Sequence, residues 1–358
     1  AEYARSDYVV AEEAYRGALA LFAEGDPRRG ETLESLAAAI YRQGELAASA
    51  GEHALAAEHF VRVMRAAPAS AIRLNAQYDA ASNYLLPGDY AQGNALLVDF
   101  RQRYPKHPLS SGIGAQLVQN YEMNGEWRAA AVELDSISAE GDDPAVQREA
   151  LYLAADYYQR AGETDLAIAR YRHYAHTWKS PLAPRMEAML TLADLYAQQS
   201  DTARRHFWLN AMADAHDAAG EEASDRSLYL AASSVSELAD SYYLQYGDIP
   251  LTEPLPQSLR RKREALALTV GAYERVNAYG VQAFGTRATF RLGEVYRQLS
   301  QALLASPRPA GLDALALEQY EILLEEQAWP FEEKALAIHE ANARRAWDGL
   351  FDPCLLYT

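Results

Sequence analysis

Thiols are almost missing from this chain. Its single cysteine, Cys354, lies among the last five of 358 residues, so no disulfide framework or thiolate metal cluster can be built. A chain this poor in cysteine tolerates either redox compartment. No apolar run approaches the roughly 18–20 residues that span a bilayer. Positive charge is short as well: 33 Lys plus Arg face 50 Asp plus Glu, a formal net charge of −17. That balance argues against a dedicated nucleic-acid binder, which needs a basic footprint, and against adhesion to an anionic membrane. No period-two alternation is long enough for a sheet. No phosphate-binding G-x-x-x-x-G-K-[ST] and no G-x-S-x-G occurs. "SGIGAQL" at Ser111–Leu117 has G-x-G without a third glycine or a preceding strand.

What is present is a folded composition, 49% hydrophobic and 23% charged, with a repeat. Gly51, Gly88, Gly125 and Gly162 are evenly spaced: 88−51, 125−88 and 162−125 are each 37. Ala81, Val118 and Ala155 precede the last three in phase, followed by Tyr84, Tyr121 and Tyr158. Small residues (Ala56, Gly93, Ala130, Ala167) and then large ones (Phe60, Leu97, Leu134, Tyr171) follow each glycine. Pro68 and Pro105 close two units, and Pro144 and Pro181 close the next two slightly late. Apolar spacing on both sides of each glycine is helical, so each unit predicts helix–turn–helix. The glycine caps the first helix, the small residue permits close approach, and the proline stops the second helix. One pair cannot bury its own apolar face, so neighbours must stack.

These positions resemble the tetratricopeptide repeat (TPR), whose units run about 34 residues. The resemblance implies an all-α, right-handed superhelical solenoid of TPR-like helix–turn–helix repeats. The longer period, with closings such as "FRQRYPKHP" at Phe100–Pro108, is similar to a variant in bacterial envelope assembly proteins. "EEQAWPFEEKALAIHEAN" at Glu325–Asn342, after "SPRP" at Ser306–Pro309, is similar to the ends of large proteobacterial envelope repeat proteins. Some of those accompany TonB- or Tol-type or gliding systems, which implies a periplasmic adaptor.

The reading divides the chain as follows. Residues 1–35 are the second helix of a truncated repeat, with Ala11, Tyr15 and Ala18 in phase, and a linker. The regular array covers 36–181. Degenerate units follow over 182–246, with Ser200 in the glycine place and bulky Arg205 in the alanine place. A Pro-rich loop at 247–258 is the expected insertion or hinge. Helices are then predicted over Leu259–Ala278, Val281–Ala305, Asp313–Ala328 and Phe331–Trp347, within a last region of 259–353. "CLLYT" at Cys354–Thr358 is encodable within the transposon end sequence used in DNA-library preparation. It is read as translated adapter, residues 354–358.

No catalytic constellation emerges. His173 and His176 share a helix face but lack a further ligand, and His53 and His59 lie on different faces. His339–Glu340 starts H-E-x-x-H without its second histidine. Paired glutamates such as Glu325–Glu326 and Glu332–Glu333 read as solvated charge, as does the basic run Arg260–Arg263, whose other reading is a docking patch for an acidic partner. No enzyme activity, metal or cofactor is expected.

The TPR resemblance implies a concave surface lined by the first helix of each unit. Carried over by phase, its residues are Tyr41, Glu45, Asn75, Tyr78, Ser82, Gln119, Glu122, Glu149, Tyr152, Asp156 and Gln159, with Asp194 in the altered unit. Tyrosines give flat amphipathic contact and carboxylates give selectivity. Family members that clamp a peptide carboxylate carry Lys, Arg and Asn at these places. This chain carries carboxylates, so the expected guest is a neutral or basic protein segment. The leading expectation is a non-enzymatic scaffold in a bacterial envelope. The alternatives are a helical accessory region of a cell-wall enzyme and a cytoplasmic regulatory module.

Overall fold

The computed structural model describes residues 3 and 7–347. The readings placed on Cys354–Thr358, and on the other residues beyond Trp347, lie outside the described residues. Regular structure among the described residues is entirely helical. In chain order the α-helices are α1 (Tyr8–Leu21), α2 (Arg28–Ser49), α3 (His53–Ala66), α4 (Arg73–Leu85), α5 (Tyr90–Arg103), α6 (Ile113–Met123), α7 (Trp127–Glu140), α8 (Pro144–Arg160), α9 (Thr164–Thr177), α10 (Leu182–Gln198), α11 (Thr202–Asp217), α12 (Asp225–Gly247), α13 (Leu255–Ala278), α14 (Gln282–Leu304) and α15 (Ala314–Trp347). They form two compact units, Ala1–Arg170 and Tyr171–Thr358.

In the first unit each helix from α1 to α8 packs on the next, the arrangement of an all-α solenoid of TPR-like pairs. The turns show why the glycines recur. Gly51, Gly88, Gly125 and Gly162 have φ of +79°, +88°, +72° and +77°, the left-handed region that a Cβ disfavours. The next residue then bonds back across the turn: Glu52 to Ala47, Asp89 to Tyr84, Glu126 to Tyr121 and Glu163 to Tyr158, at 2.8–2.9 Å from N to O. This 6→1 bond satisfies a carbonyl that the helix end would leave orphaned.

The small residues sit where predicted. Ala56 and Ala130 are fully buried, and a Cβ on Gly93 would lie 2.6 Å from Leu85 Cγ. One further close approach carries no sequence signal beyond phase: a Cβ on Gly44 would meet the Phe60 ring at 2.6 Å. Phe60 and Leu97 fill the cores between pairs, the first with Leu36, Ile40 and Val63, the second with Phe100, Ile113 and Leu117. The predicted N-terminal helix forms as α1 and buries Ala11, while α2 starts at Arg28, inside the stretch read as linker.

In the second unit successive helices from α10 to α15 also pack on their neighbours. Ser200 stands in the glycine place and adopts φ +59°, and Asp201 N still bonds Tyr196 O at 2.9 Å. Longer helices then build two cores, one around Tyr273, Val276 and Val235, the other around Tyr246, Val295 and Leu299.

Three local expectations are corrected. The Pro-rich segment is helical from Leu255, because Pro256 falls in the first turn, where its missing N–H is not needed. The break expected at Trp329–Pro330 does not occur, and α15 runs through Pro330. Pro inside a helix costs about 3 kcal/mol. Leu324 and Ala328 before it and Ala335 and Asn342 after it are all buried, so packing holds both halves in one register. The basic run is not uniformly solvated. Lys262 is buried, donating to the carbonyls of Tyr246 at 3.1 Å and Ile249 at 2.7 Å, where it caps the end of α12. Its ammonium lies 4.4 Å from the Tyr246 ring centroid, and burial pulls its pKa down.

Candidate protein-docking face

The residues carried over by phase lie at one set of positions on α2, α4, α6 and α8, spaced three, four and seven apart, so each helix brings its own members to one face. The structure divides them by what they touch. Asn75, Gln119, Glu122, Glu149 and Gln159 are exposed. Tyr41, Glu45, Tyr78, Ser82, Tyr152 and Asp156 are half-buried. Asp194, exposed on α10, belongs to the second unit.

Several are engaged internally. Tyr41 donates its hydroxyl to Asp79, joining α2 to α4. Burial raises the Asp79 pKa, a nearby Glu45 adds to this, and the Tyr41 bond opposes it. Burial and the Asp79 carboxylate together push the Tyr41 phenol well up. Glu45 pairs with Arg42 at 2.6 Å and Asp156 with Arg160 at 2.8 Å, both one turn along the same helix. Ser82 bonds back to the Tyr78 carbonyl at 3.1 Å, and the Tyr78 ring meets Phe100 edge-on at 5.7 Å. Glu122 accepts from Tyr157, linking α6 to α8. A tyrosine hydroxyl held by a carboxylate on another helix recurs at Tyr158–Asp135 and, in the second unit, at Tyr273–Asp240 and Tyr279–Asp217.

Phase alone misses a cleft of about 680 Å³ in the first unit, lined by Tyr121, Trp127, Val132, Glu133 and Arg160 among others. Trp127 meets Tyr157 edge-on at 5.3 Å, and the Arg160 guanidinium lies 5.1 Å from the Trp127 ring centroid. The one signal for it in the sequence is an aromatic on each side of Gly125.

The histidines do not converge. His173 and His176 are both exposed, and the His176 ring lies tilted against Trp208 with centroids 5.2 Å apart. His53 bonds Asn83 at 3.0 Å, and His339 lies 3.4 Å from Glu294. Among the described residues no three His, Cys, Asp or Glu side chains gather as a metal site, and no helix is long and apolar enough to cross a membrane. Arg205, in the alanine place of the altered unit, reaches Glu237 on α12 at 2.5 Å.

No known family profile matches the sequence, and no curated protein matches it. Several solved structures align with the chain at low similarity. One is an assembly of Naa15/Naa10 bound to HypK-THB, with 13% identity over 95% of this chain and a TM-score of 0.39. This chain spans 56% of the length of that one. A tetratricopeptide repeat protein from Parabacteroides merdae is 14% identical over 70% of this chain and 98% of its own, with a TM-score of 0.31. A circular tandem repeat protein with novel repeat topology is 15% identical over 97% of this chain and 79% of its own, with a TM-score of 0.18.

Proposed function

We propose that the chain is a non-enzymatic scaffold that holds a neutral or basic protein segment against the first-helix face of its first unit. The observation that carries this reading is chemical. At the carried-over positions the exposed groups are amides and carboxylates, Asn75, Gln119, Glu122, Glu149 and Gln159, with half-buried tyrosines between them. Rigid aromatics beside adaptable polar groups suit a peptide backbone, and the net charge of −17 favours cationic guests. We place the scaffold in a bacterial envelope, on the sequence resemblance alone.

The test is a peptide array graded in net charge, probed with the purified chain and with the variant Gln119→Lys/Glu149→Lys. Both sites are exposed, so helicity by circular dichroism stays unchanged. Basic and neutral peptides should be retained by the parent and the basic ones lost by the variant. Equal retention of every peptide by both proteins overturns the reading. For location, fractionation of cells expressing the complete gene should recover the protein outside the cytoplasm, and recovery in the cytosol overturns that placement.

A further inference from the structure

α15 has two apolar faces, and among the described residues only one is covered. Leu324, Ala328 and Ala335 are buried on the face that packs against α14. Leu315, Ile322, Trp329 and Leu336 recur every seventh residue and are 50–66% exposed. At 100° per residue this row is centred about 130° around the helix from the buried one, with Trp329 and Leu336 about 100° from their buried neighbours Ala328 and Ala335. It extends for about 32 Å. A strict seven-residue row drifts about 20° per repeat around a straight helix, so an occupant that follows it must wind with it, as a partner helix does.

The row is set in negative charge. Glu318, Glu325 and Glu332 stand three residues after successive apolar residues, and Glu326 and Glu333 stand four after. All five are exposed. No ion pair neutralises them among the described residues. The nearby Lys334 lies instead 4.4 Å from the Tyr296 ring centroid on α14, and Arg344 pairs with Glu340 beyond the row. Two copies meeting through this face would set glutamates against glutamates, which disfavours self-pairing.

We propose that this outer face of α15 docks an amphipathic helix of another protein whose apolar residues repeat every seventh position between lysines or arginines. The apolar row supplies the buried contact, with Trp329 as its aromatic centre, and the glutamate pairs select the charge of the partner. This surface lies in the second unit and does not depend on the first-helix face proposed above.

The probes are three labelled synthetic peptides added to the full chain, read by fluorescence anisotropy. One is helical with leucines at seven-residue spacing flanked by lysines. The second replaces those lysines with glutamates, and the third scrambles the lysine peptide. Only the first should bind well. Trp329→Ser/Ile322→Ser should weaken it by about tenfold or more. Glu325→Lys/Glu326→Lys/Glu332→Lys/Glu333→Lys should move the preference to the glutamate peptide. These side chains are exposed, so both variants keep the parent's helicity. Equal binding of the scrambled peptide overturns the proposal in favour of unspecific charge attraction. Binding that survives both variants overturns it too. So does a chain that is dimeric by sedimentation and becomes monomeric in the Trp329→Ser/Ile322→Ser variant, because the occupant is then a second copy. Gln119→Lys/Glu149→Lys should leave this binding unchanged.

Discussion

The Tyr158 hydroxyl on α8 meets the Asp135 carboxylate on α7 at 2.8 Å, and Arg170 grips the same carboxylate at 2.7 and 2.8 Å. Burial and Asp135 push the Tyr158 phenol up to about 12. Removing the shared acceptor should cost more than removing one donor. Asp135→Ala strands a phenol and a guanidinium, and we expect a loss of about 2 kcal/mol, moderated by the water that reaches Arg170. Tyr158→Phe should lose about 1 kcal/mol. Urea unfolding of both variants checks the ranking, and equal losses would refute it.

Ser200 bears a Cβ at φ +59°. Left-handed backbone costs a non-glycine residue about 1–2 kcal/mol, part of which glycine returns through its freer unfolded chain. Ser200→Gly should therefore stabilise, by about 0.5 kcal/mol or more. Gly93→Ala should do the reverse, by about 1–3 kcal/mol, because its methyl would press on Leu85. Thermal unfolding decides both signs.

Glu12 supplies a pH dependence. Burial would raise its carboxyl, but bonds from Gln43 and Arg62, with Arg16 nearby, outweigh burial and hold its pKa below the ordinary 4.5. Gln43 Nε2 lies 2.6 Å from it, and Arg16 pairs with it at 2.8 Å. A lowered folded-state pKa stabilises above the ordinary value, and this contribution disappears as pH falls through the folded one. Between pH 7 and strongly acidic solution, Glu12→Gln should lose less stability than the parent. Parallel losses in the two proteins would show that Glu12 contributes nothing.

Lys262→Met should leave the Ile249 carbonyl without its donor and the Tyr246 carbonyl with only a backbone N–H, at a cost of about 1–3 kcal/mol. Arg261→Met, an exposed neighbour, should fall within about 0.5 kcal/mol of the parent. Guanidinium unfolding separates the two, and equal effects would remove the capping role.

The turns were legible in the sequence because a left-handed residue leaves a letter: glycine at fixed spacing, with a tyrosine whose carbonyl closes three of the four glycine turns. The small and large seam residues were legible for the same reason, each position demanding a volume. Lys262 was not, since a run of four cations looks alike until one finds the open end of another helix. Pro330 misled because its local cost is real and is outweighed by burial before and after it. The candidate face was legible as a register on each helix. The bonds that occupy Tyr41, Glu45 and Asp156 depend on where α4 lies or on rotamers one turn away, which spacing does not specify.

The interval from Gly162 to Ser200 is 200−162, or 38, one residue longer than its predecessors. The added residue and the lost glycine leave the turn itself unchanged, with its bond from Asp201 to Tyr196. Register in this array is thus kept by backbone shape after it has faded from the alphabet. A repeat search tuned to glycine spacing alone stops one unit early, whereas one tuned to the tyrosine carbonyl that closes the turn carries on into the second unit.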